Sequence, residues 1–325
     1  MLTPALLDRF GRLHTYVRIS VTDRCNYRCV YCLPEEGMTW MPRKGLLSFE
    51  ELGRLARVFA TMGVRRIRLT GGEPTVRRDL DALVAAIAAT PGIDDLAMTT
   101  NGHNLAKLAP MLKAHGLTRV NVSLDSLDPE RFGRITRGGR LDDVLAGIDA
   151  ARDAGLTPVK INMVVMRGVN DDEVVPMARW AARTGVMLRY IEYMPFEGRW
   201  HENVPAAEMR ESLRVIGPVE PVGERSGGGP AKYWMVDGRL VGFIAPLTEH
   251  FCASCNRLRL LADGHLRTCL AHEDTPSLRD LVRSGANDDS LATSIRAMVL
   301  GKPPGHAAQT EGGTNFEGIM TGIGG

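Results

Sequence analysis

An excess of either charge is missing from this sequence. Its 325 residues hold 40 Lys and Arg against 38 Asp and Glu, a formal net charge of +2. That balance argues against a nucleic-acid coat or a membrane-surface protein, though not against a basic pocket inside the fold. Long apolar runs are missing too. The longest uncharged stretch, Ala82 to Ile93, is too short to span a bilayer. The start, Met1 to Asp8, shows no basic segment followed by an apolar core, so no signal peptide is read and a cytoplasmic address is expected. No GxGxxG supports a nicotinamide-binding half. Gly227-Gly228-Gly229-Pro230 lacks the Gly-Lys-Ser/Thr ending of a P-loop and reads as an ordinary loop. What is present, 44% hydrophobic and 24% charged residues, suffices for a sizeable core and does not describe a disordered chain.

The first two-thirds alternates strand and helix. Strands are expected at 16–21, 64–70, 96–100, 119–124, 158–165 and 186–193, and helices at 49–62, 80–89, 105–115, 141–154 and 172–184. Ser48 with Glu51 forms a capping box before the first helix, and Gly63, Gly116, Gly155 and Gly185 close helices. The pattern predicts an α/β fold, an incomplete (βα)6 TIM-type barrel over 1–215, followed by an α+β extension over 216–325. In that extension, Asp237-Gly238 joins two short strands as a hairpin.

The strands have an unexpected second face. Counted by twos, it carries Arg18 and Ser20, then Arg66, Arg68 and Thr70, then Thr99 and Asn101. Asn121, Ser123 and Asp125 follow on the fourth strand, and Lys160 and Asn162 on the fifth. A parallel sheet covered by helices on both sides is apolar on both faces. A polar, mainly cationic face therefore predicts a lumen that holds an anionic ligand; the plainer alternative is polar strand ends under solvated loops.

The six cysteines fall into two trios, Cys25/Cys29/Cys32 and Cys252/Cys255/Cys269, too far apart in sequence and too odd in number to read as local disulfides. The first trio sits on the loop after the first strand, where barrel active sites are built. Three such thiolates can hold three irons of a [4Fe–4S] cluster and leave the fourth open; inert buried thiols are the alternative. The second trio, taken alone, also suits zinc, with His250, His265 or His272 as fourth ligand.

The Cx3Cx2C spacing with Tyr31 before its last Cys, followed one βα unit later by Gly71-Gly72-Glu73-Pro74, resembles the radical S-adenosylmethionine (SAM) superfamily. Phe251 to Leu260 and Gly264 to Leu270 resemble the second-cluster motif of the GTP 3′,8-cyclase family of molybdenum cofactor biosynthesis. The resemblance implies two [4Fe–4S] clusters, the first on Cys25, Cys29 and Cys32 binding SAM, the second on Cys252, Cys255 and Cys269 binding the guanine of GTP. It implies SAM contacts at Tyr31, Gly72, Ser123 and Met194, and GTP contacts at Arg18, Arg68, Thr99, Lys160, Arg257, Leu258 and Arg259. It implies that the terminal Gly324 and Gly325 reach into the active site and assist radical formation, although residues 319–322 follow the family only loosely. Expected partners are a flavodoxin- or ferredoxin-type electron donor and, downstream, a cyclic pyranopterin monophosphate synthase, with a homodimer as a candidate assembly and no nucleic acid or membrane. Competing classes are another two-cluster radical SAM enzyme, such as a peptide-modifying one, and a non-catalytic iron–sulfur carrier or zinc-stabilised module.

Overall fold

The computed structural model describes residues 5–195, 200–222, 229–270 and 276–305. From β1 (Tyr16–Ser20) a long loop carrying the first cysteine trio leads to α1 (Phe49–Thr61) and β2 (Arg66–Thr70). The alternation continues through α2 (Leu80–Ala88), β3 (Asp95–Thr100), α3 (Leu105–Ala114), β4 (Arg119–Ser123), α4 (Pro129–Thr136) and α5 (Leu141–Asp153). It ends with β5 (Lys160–Val165), α6 (Val174–Thr184) and β6 (Met187–Glu192). The remainder supplies α7 (Ala206–Leu213), β7 (Val219–Pro221), β8 (Lys232–Val236), β9 (Arg239–Ile244), β10 (Arg257–Leu260), β11 (Leu266–Arg267), α8 (Leu278–Arg283) and α9 (Asp288–Leu300).

Local chemistry accounts for the element ends. The α1 capping box is formed: Ser48 Oγ accepts from the Glu51 N–H, and the Glu51 carboxylate accepts from the Ser48 N–H at 2.7 Å. Gly63, Gly116, Gly155 and Gly185 take positive φ just past their helices, as a left-handed helix exit requires. Asp237 and Gly238 both take positive φ, the geometry of a tight hairpin between β8 and β9. Four further helices among the described residues were not expected from the pattern; α7 follows Pro205 with no side-chain cap, and the other three are capped. α4 starts at Pro129 with Asp128 as cap, and α8 and α9 start behind Ser277 and Asn287, each accepting a backbone N–H. The caps of α4, α8 and α9 mark their starts, and α9 buries Leu291, Ala292, Ile295 and Val299 on one face at helical spacing.

β1 to β6 pair in parallel and in sequence order, so the incomplete (βα)6 barrel holds. The C-terminal region lengthens this sheet at both edges. β10 joins β1 in parallel, β9 joins β6 in parallel, and β11, β8 and β7 add antiparallel rims. One parity of the strands is apolar: Val17, Ile19, Ile67, Leu69, Met98, Val120, Val122, Ile161 and Met163 are buried against helix residues such as Leu52, Leu55, Phe59, Leu83 and Leu112. The other parity faces inward, away from the helices. Among the described residues, no helix is long and apolar enough to cross a membrane.

The parallel pairing of β10 with β1 sets the geometry of the site. Cys25 follows the carboxyl end of β1, whereas Cys255 precedes the amino end of β10. The two trios therefore sit at opposite ends of the same strand pair. Five residues of strand at about 3.3 Å each put roughly 16 Å of β-sheet between them.

Candidate active site

A cavity of about 350 Å³ runs between these two ends, and all six cysteines line it. At the first end, the loop is held by local bonds. Cys32 N–H and Leu33 N–H donate to the Cys29 carbonyl, Arg28 Nη1 donates to the carbonyls of Cys25 and Tyr27, and Val30 N–H donates to Ile135 O at the end of α4. The Gly-Gly turn after β2 docks on the same loop. Gly72 N–H donates to Thr22 O and Glu73 N–H to Arg24 O, both at 2.8 Å. A Cβ on Gly72 would lie 2.4 Å from Arg24 O, and one on Gly71 would lie 2.7 Å from Thr22 O. Only glycine allows this backbone contact, so the motif builds the wall beside Cys25 as well as facing the cavity.

Two buried carboxylates brace this end. Glu73 accepts from Thr75 N–H, Thr75 Oγ1, Thr100 Oγ1 and Asn101 N–H at 2.6–3.0 Å, tying β2 to β3. Asp125 accepts from Tyr31 Oη at 2.7 Å and from Val164 N–H at 2.9 Å; burial lifts its pKa to about 6, against the pull of these two donors. Tyr31, Gly72, Ser123 and Met194, the expected SAM contacts, all line this cavity.

Toward the other end the lining turns cationic. Arg18 lies in register with Arg259 on β10 and with Arg68 on β2, so three guanidinium groups face inward from three adjacent strands. Like charges directly opposite in a sheet are destabilising, so such a row demands an anion. Arg189 on β6 adds a fourth, in register with Asn162, and Arg257 a fifth. Burial holds Arg189 and Arg259 down at about 10, with Arg68 and Arg257 respectively adding repulsion. Arg18 Nε, Arg68 Nε, Arg189 Nε and Nη2, and Asn162 Oδ1 are buried polar atoms without a hydrogen-bond partner. Unpaired buried polar groups are costly; the guanidinium donors among them mark a place made for an anionic ligand, and Asn162 Oδ1 is an acceptor for a donor on it.

Lys160 does not itself line the cavity. It sits one step below Asn162 on β5 among the same cations, and burial first, then Arg189, Arg119 and Arg68, lower its pKa to about 7. Thr99, Arg257 and Arg259 line the cavity as expected. Leu258 does not: it has the opposite parity to its neighbours and is fully buried in the apolar core. Its alternation with Arg257 and Arg259 follows from strand geometry and takes its side chain away from the lumen. Gly324 and Gly325 lie outside the described residues. Arg189 and Glu192 on β6 also line the cavity and are not among the expected site residues, whereas Asp125 and Glu73 fall on the predicted lumen face and in the Gly-Gly motif. Arg189 has the inward parity of β6, in register with Asn162.

The second trio has a different electrostatic setting from the first. Burial pushes Cys25 up to about 11 and Cys29 well above the usual thiol range. Burial also acts on Cys255, but Arg257 and Lys302 outweigh it and bring the thiol down to about 7. Arg257 Nη2 and Lys302 Nζ each lie 3.7 Å from Cys255 Sγ.

The donor sets fit iron–sulfur clusters. All six cysteines are free thiols. Among the described residues, no three Cys, His, Asp or Glu side chains converge on a single-ion site. A tetrahedral zinc draws its sulfurs to about 2.3 Å from one centre, whereas a cluster spreads its thiolates over separate irons. Each trio opens on the cavity.

Comparison with known proteins agrees with this arrangement. The Radical SAM superfamily profile matches residues 19–181, and that of Molybdenum Cofactor Synthesis C matches residues 186–308. A GTP 3′,8-cyclase of Rhodopseudomonas palustris (strain TIE-1) is 48% identical over 93% of this chain and 89% of its own length. One from Heliobacterium modesticaldum is 46% identical over 98% of this chain and its own full length, and the mitochondrial one of Arabidopsis thaliana is 45% identical over 98% of this chain and 83% of its own. Among solved structures, Streptococcus suis SuiB bound to S-adenosylmethionine superposes with a TM-score of 0.60 over 92% of this chain and 75% of that one, at 17% identity, which is a likeness of fold. With close to half of its residues shared along nearly its whole length, the chain belongs to the GTP 3′,8-cyclase family of the radical SAM superfamily.

Proposed function

We propose that this enzyme converts GTP to (8S)-3′,8-cyclo-7,8-dihydroguanosine 5′-triphosphate, the first step of molybdenum cofactor biosynthesis. Membership of the radical SAM superfamily brings S-adenosylmethionine and one [4Fe–4S] cluster, placed here on Cys25, Cys29 and Cys32. When bound, they supply a 5′-deoxyadenosyl radical able to take hydrogen from C3′ of the ribose, after which C3′ joins C8 of the guanine. A second [4Fe–4S] cluster on Cys252, Cys255 and Cys269 belongs to the same proposal. The observation that carries it is the single cavity with a cysteine trio at each end and a buried guanidinium row between.

The chain's own residues then have distinct tasks. Tyr31, Gly72, Ser123 and Met194 hold the SAM end. Arg18, Arg68, Arg189 and Lys160 take the triphosphate, because a guanidinium in a low-dielectric site gives short, charge-assisted bonds to phosphate oxygens. Thr99 lines the wall between the two ends, and Arg257 and Arg259 hold the guanine end beside the second trio, with Leu258 supporting them from the core. Holding two reactants in register and away from water is the protein's main contribution to a radical reaction. Gly324 and Gly325, outside the described residues, are assigned an assisting part in radical formation. We further assign 1–215 to the barrel with the first cluster and 216–325 to the region with the second, a flavodoxin- or ferredoxin-type donor, a downstream cyclic pyranopterin monophosphate synthase, a homodimer and a cytoplasmic location.

The test is anaerobic incubation of the reconstituted enzyme with GTP, SAM and a strong reductant, followed by mass analysis of the nucleotide. A product isomeric with GTP, formed with 5′-deoxyadenosine, is expected. SAM cleavage with GTP recovered unchanged would refute the substrate.

A further inference from the structure

We infer that Lys302 is a positioning residue of the second cysteine centre, a buried ammonium that holds Cys255 in place and sets the reduction potential of the cluster those cysteines carry. The inference rests on the second-cluster reading of the proposed function and adds to it a residue outside the barrel.

Lys302 is 2% exposed, in a chain where most lysines lie at the surface. Its Nζ donates to Arg257 O at 2.7 Å and lies 3.7 Å from Cys255 Sγ. Beside that carbonyl, the Cys255 sulfur is the acceptor within reach of Nζ. A buried charge survives only with a partner of opposite sign. Here that partner is the sulfur set itself, so the lysine and the trio neutralise one another.

The lysine is held from both sides. It follows α9, which packs on α1, and its own N–H donates to Val299 O. The two residues after it are proline, which have no N–H, and their carbonyls are taken by Arg12: Nη2 donates to Pro303 O at 2.6 Å and Nη1 to Pro304 O at 2.9 Å. The same Arg12 Nη1 donates to Cys252 O at 2.9 Å, while Nε pairs with the buried Asp8 at 2.6 Å and His14 Nε2 lies 3.0 Å from that carboxylate. Asp8, Arg12 and His14 thus brace the Lys302-Pro303-Pro304 segment against the cysteine turn. A side chain fixed this way presents its charge at one place rather than sampling solvent.

A fixed positive charge beside a thiolate-ligated cluster favours the form with one more electron, so it raises the potential. Removing it makes the cluster harder to reduce. Lys302→Met removes the charge and the hydrogen bond, Lys302→Gln removes the charge and keeps a donor for Arg257 O, and Lys302→Arg keeps the charge.

The experiment is anaerobic reconstitution of each full-length variant, iron and sulfide analysis, and a redox titration of both clusters followed by electron paramagnetic resonance. The first cluster, at the far end of the barrel, is the internal control. With about eight irons per chain, the expected result is a second-cluster potential shifted to more negative values in Lys302→Met and Lys302→Gln, closer to wild type in Lys302→Arg, with the first cluster unmoved in all three. If the uncharged variants fail to load the second cluster while Lys302→Arg loads it, the charge is again shown to matter. Unchanged second-cluster potentials in the two uncharged variants, an equal shift of both clusters, or loss of the second cluster in Lys302→Arg as well would overturn the inference. Wild-type protein with about four irons would instead sink the second-cluster reading, independently of Lys302.

Discussion

Binding of a triphosphate should draw a proton onto Lys160. Lys160 lies behind the arginines proposed for the triphosphate, Arg18, Arg68 and Arg189, and Arg189 stays at about 10 even in its buried setting, so it keeps its charge at neutral pH. Lys160 is the group that yields: burial, then Arg189, Arg119 and Arg68, bring it to about 7. At pH 8 roughly one chain in eleven then carries the proton in the free protein. A polyanion placed among these groups reverses the balance and returns the lysine toward its ordinary range. The complex should therefore take up about 0.9 proton at pH 8 and about 0.1 at pH 6. By linkage, affinity for GTP should fall about fivefold from pH 7 to pH 8 and about tenfold per unit above that. The free protein has the opposite slope. Its folded Lys160 binds fewer protons than the unfolded chain between about 7 and 10.5, so this residue's contribution makes folding more stable as pH rises through that window.

The assay is anaerobic calorimetry of GTP binding at pH 8 in buffers of different ionisation heat, without SAM. The slope of observed heat against buffer heat counts the protons. At this pH the nucleotide has already lost its last phosphate proton, so the uptake belongs to the protein. Lys160→Met should abolish the slope and weaken binding, and Lys160→Arg should abolish the slope while keeping most of the affinity. A wild-type slope near zero, or a slope that survives in Lys160→Met, would refute the assignment of the proton to this side chain.

Four other outcomes follow from the same geometry. Cys29→Ser should end SAM cleavage and lower iron from about eight to about four per chain, read by 5′-deoxyadenosine release and metal analysis. Cys255→Ser should keep SAM binding but weaken GTP and stop cyclisation; full activity would make the second trio structural. Glu73→Ala leaves four buried donors without their acceptor and should cost about 3–5 kcal/mol of stability, measured by chemical denaturation. Deleting Gly324 and Gly325 removes almost no apolar area, so folding and both clusters should be unaffected, while product formation falls sharply; undiminished turnover would leave the tail without a catalytic part.

Much of this was legible in the chain because the strand period is strict. A two-residue count placed Arg18, Arg68, Thr99 and Ser123 on one face before any coordinates, and the cavity lines up along that count. The same count shows why Leu258 is different from Arg257 and Arg259: three consecutive residues of a strand cannot all face one lumen. The helices with clean apolar stripes and caps were equally plain. What the pattern could not carry was distance in sequence. Nothing local says that Arg257 and Arg18 become neighbours, because their pairing depends on β10 returning to the free edge of β1. Nor does composition distinguish Lys302, fully buried on Cys255, from a solvated lysine at a helix exit.

That return of β10 is also what brings the two cysteine trios to one cavity. Had the last strands packed as a separate layer, the second trio would face solvent or another core. Parallel pairing with β1 instead fixes Cys255 at the amino end of the strand whose carboxyl end leads to Cys25. The span between them, roughly 16 Å of strand, suits two ligands laid end to end better than one. The intervening wall is built by register, Arg259 beside Arg18 beside Arg68, and not by loops. Sheet hydrogen bonds therefore hold the spacing between the two trios to within the tolerance of a ladder, and the proposed reaction, which takes one hydrogen atom from one ribose carbon, depends on that spacing.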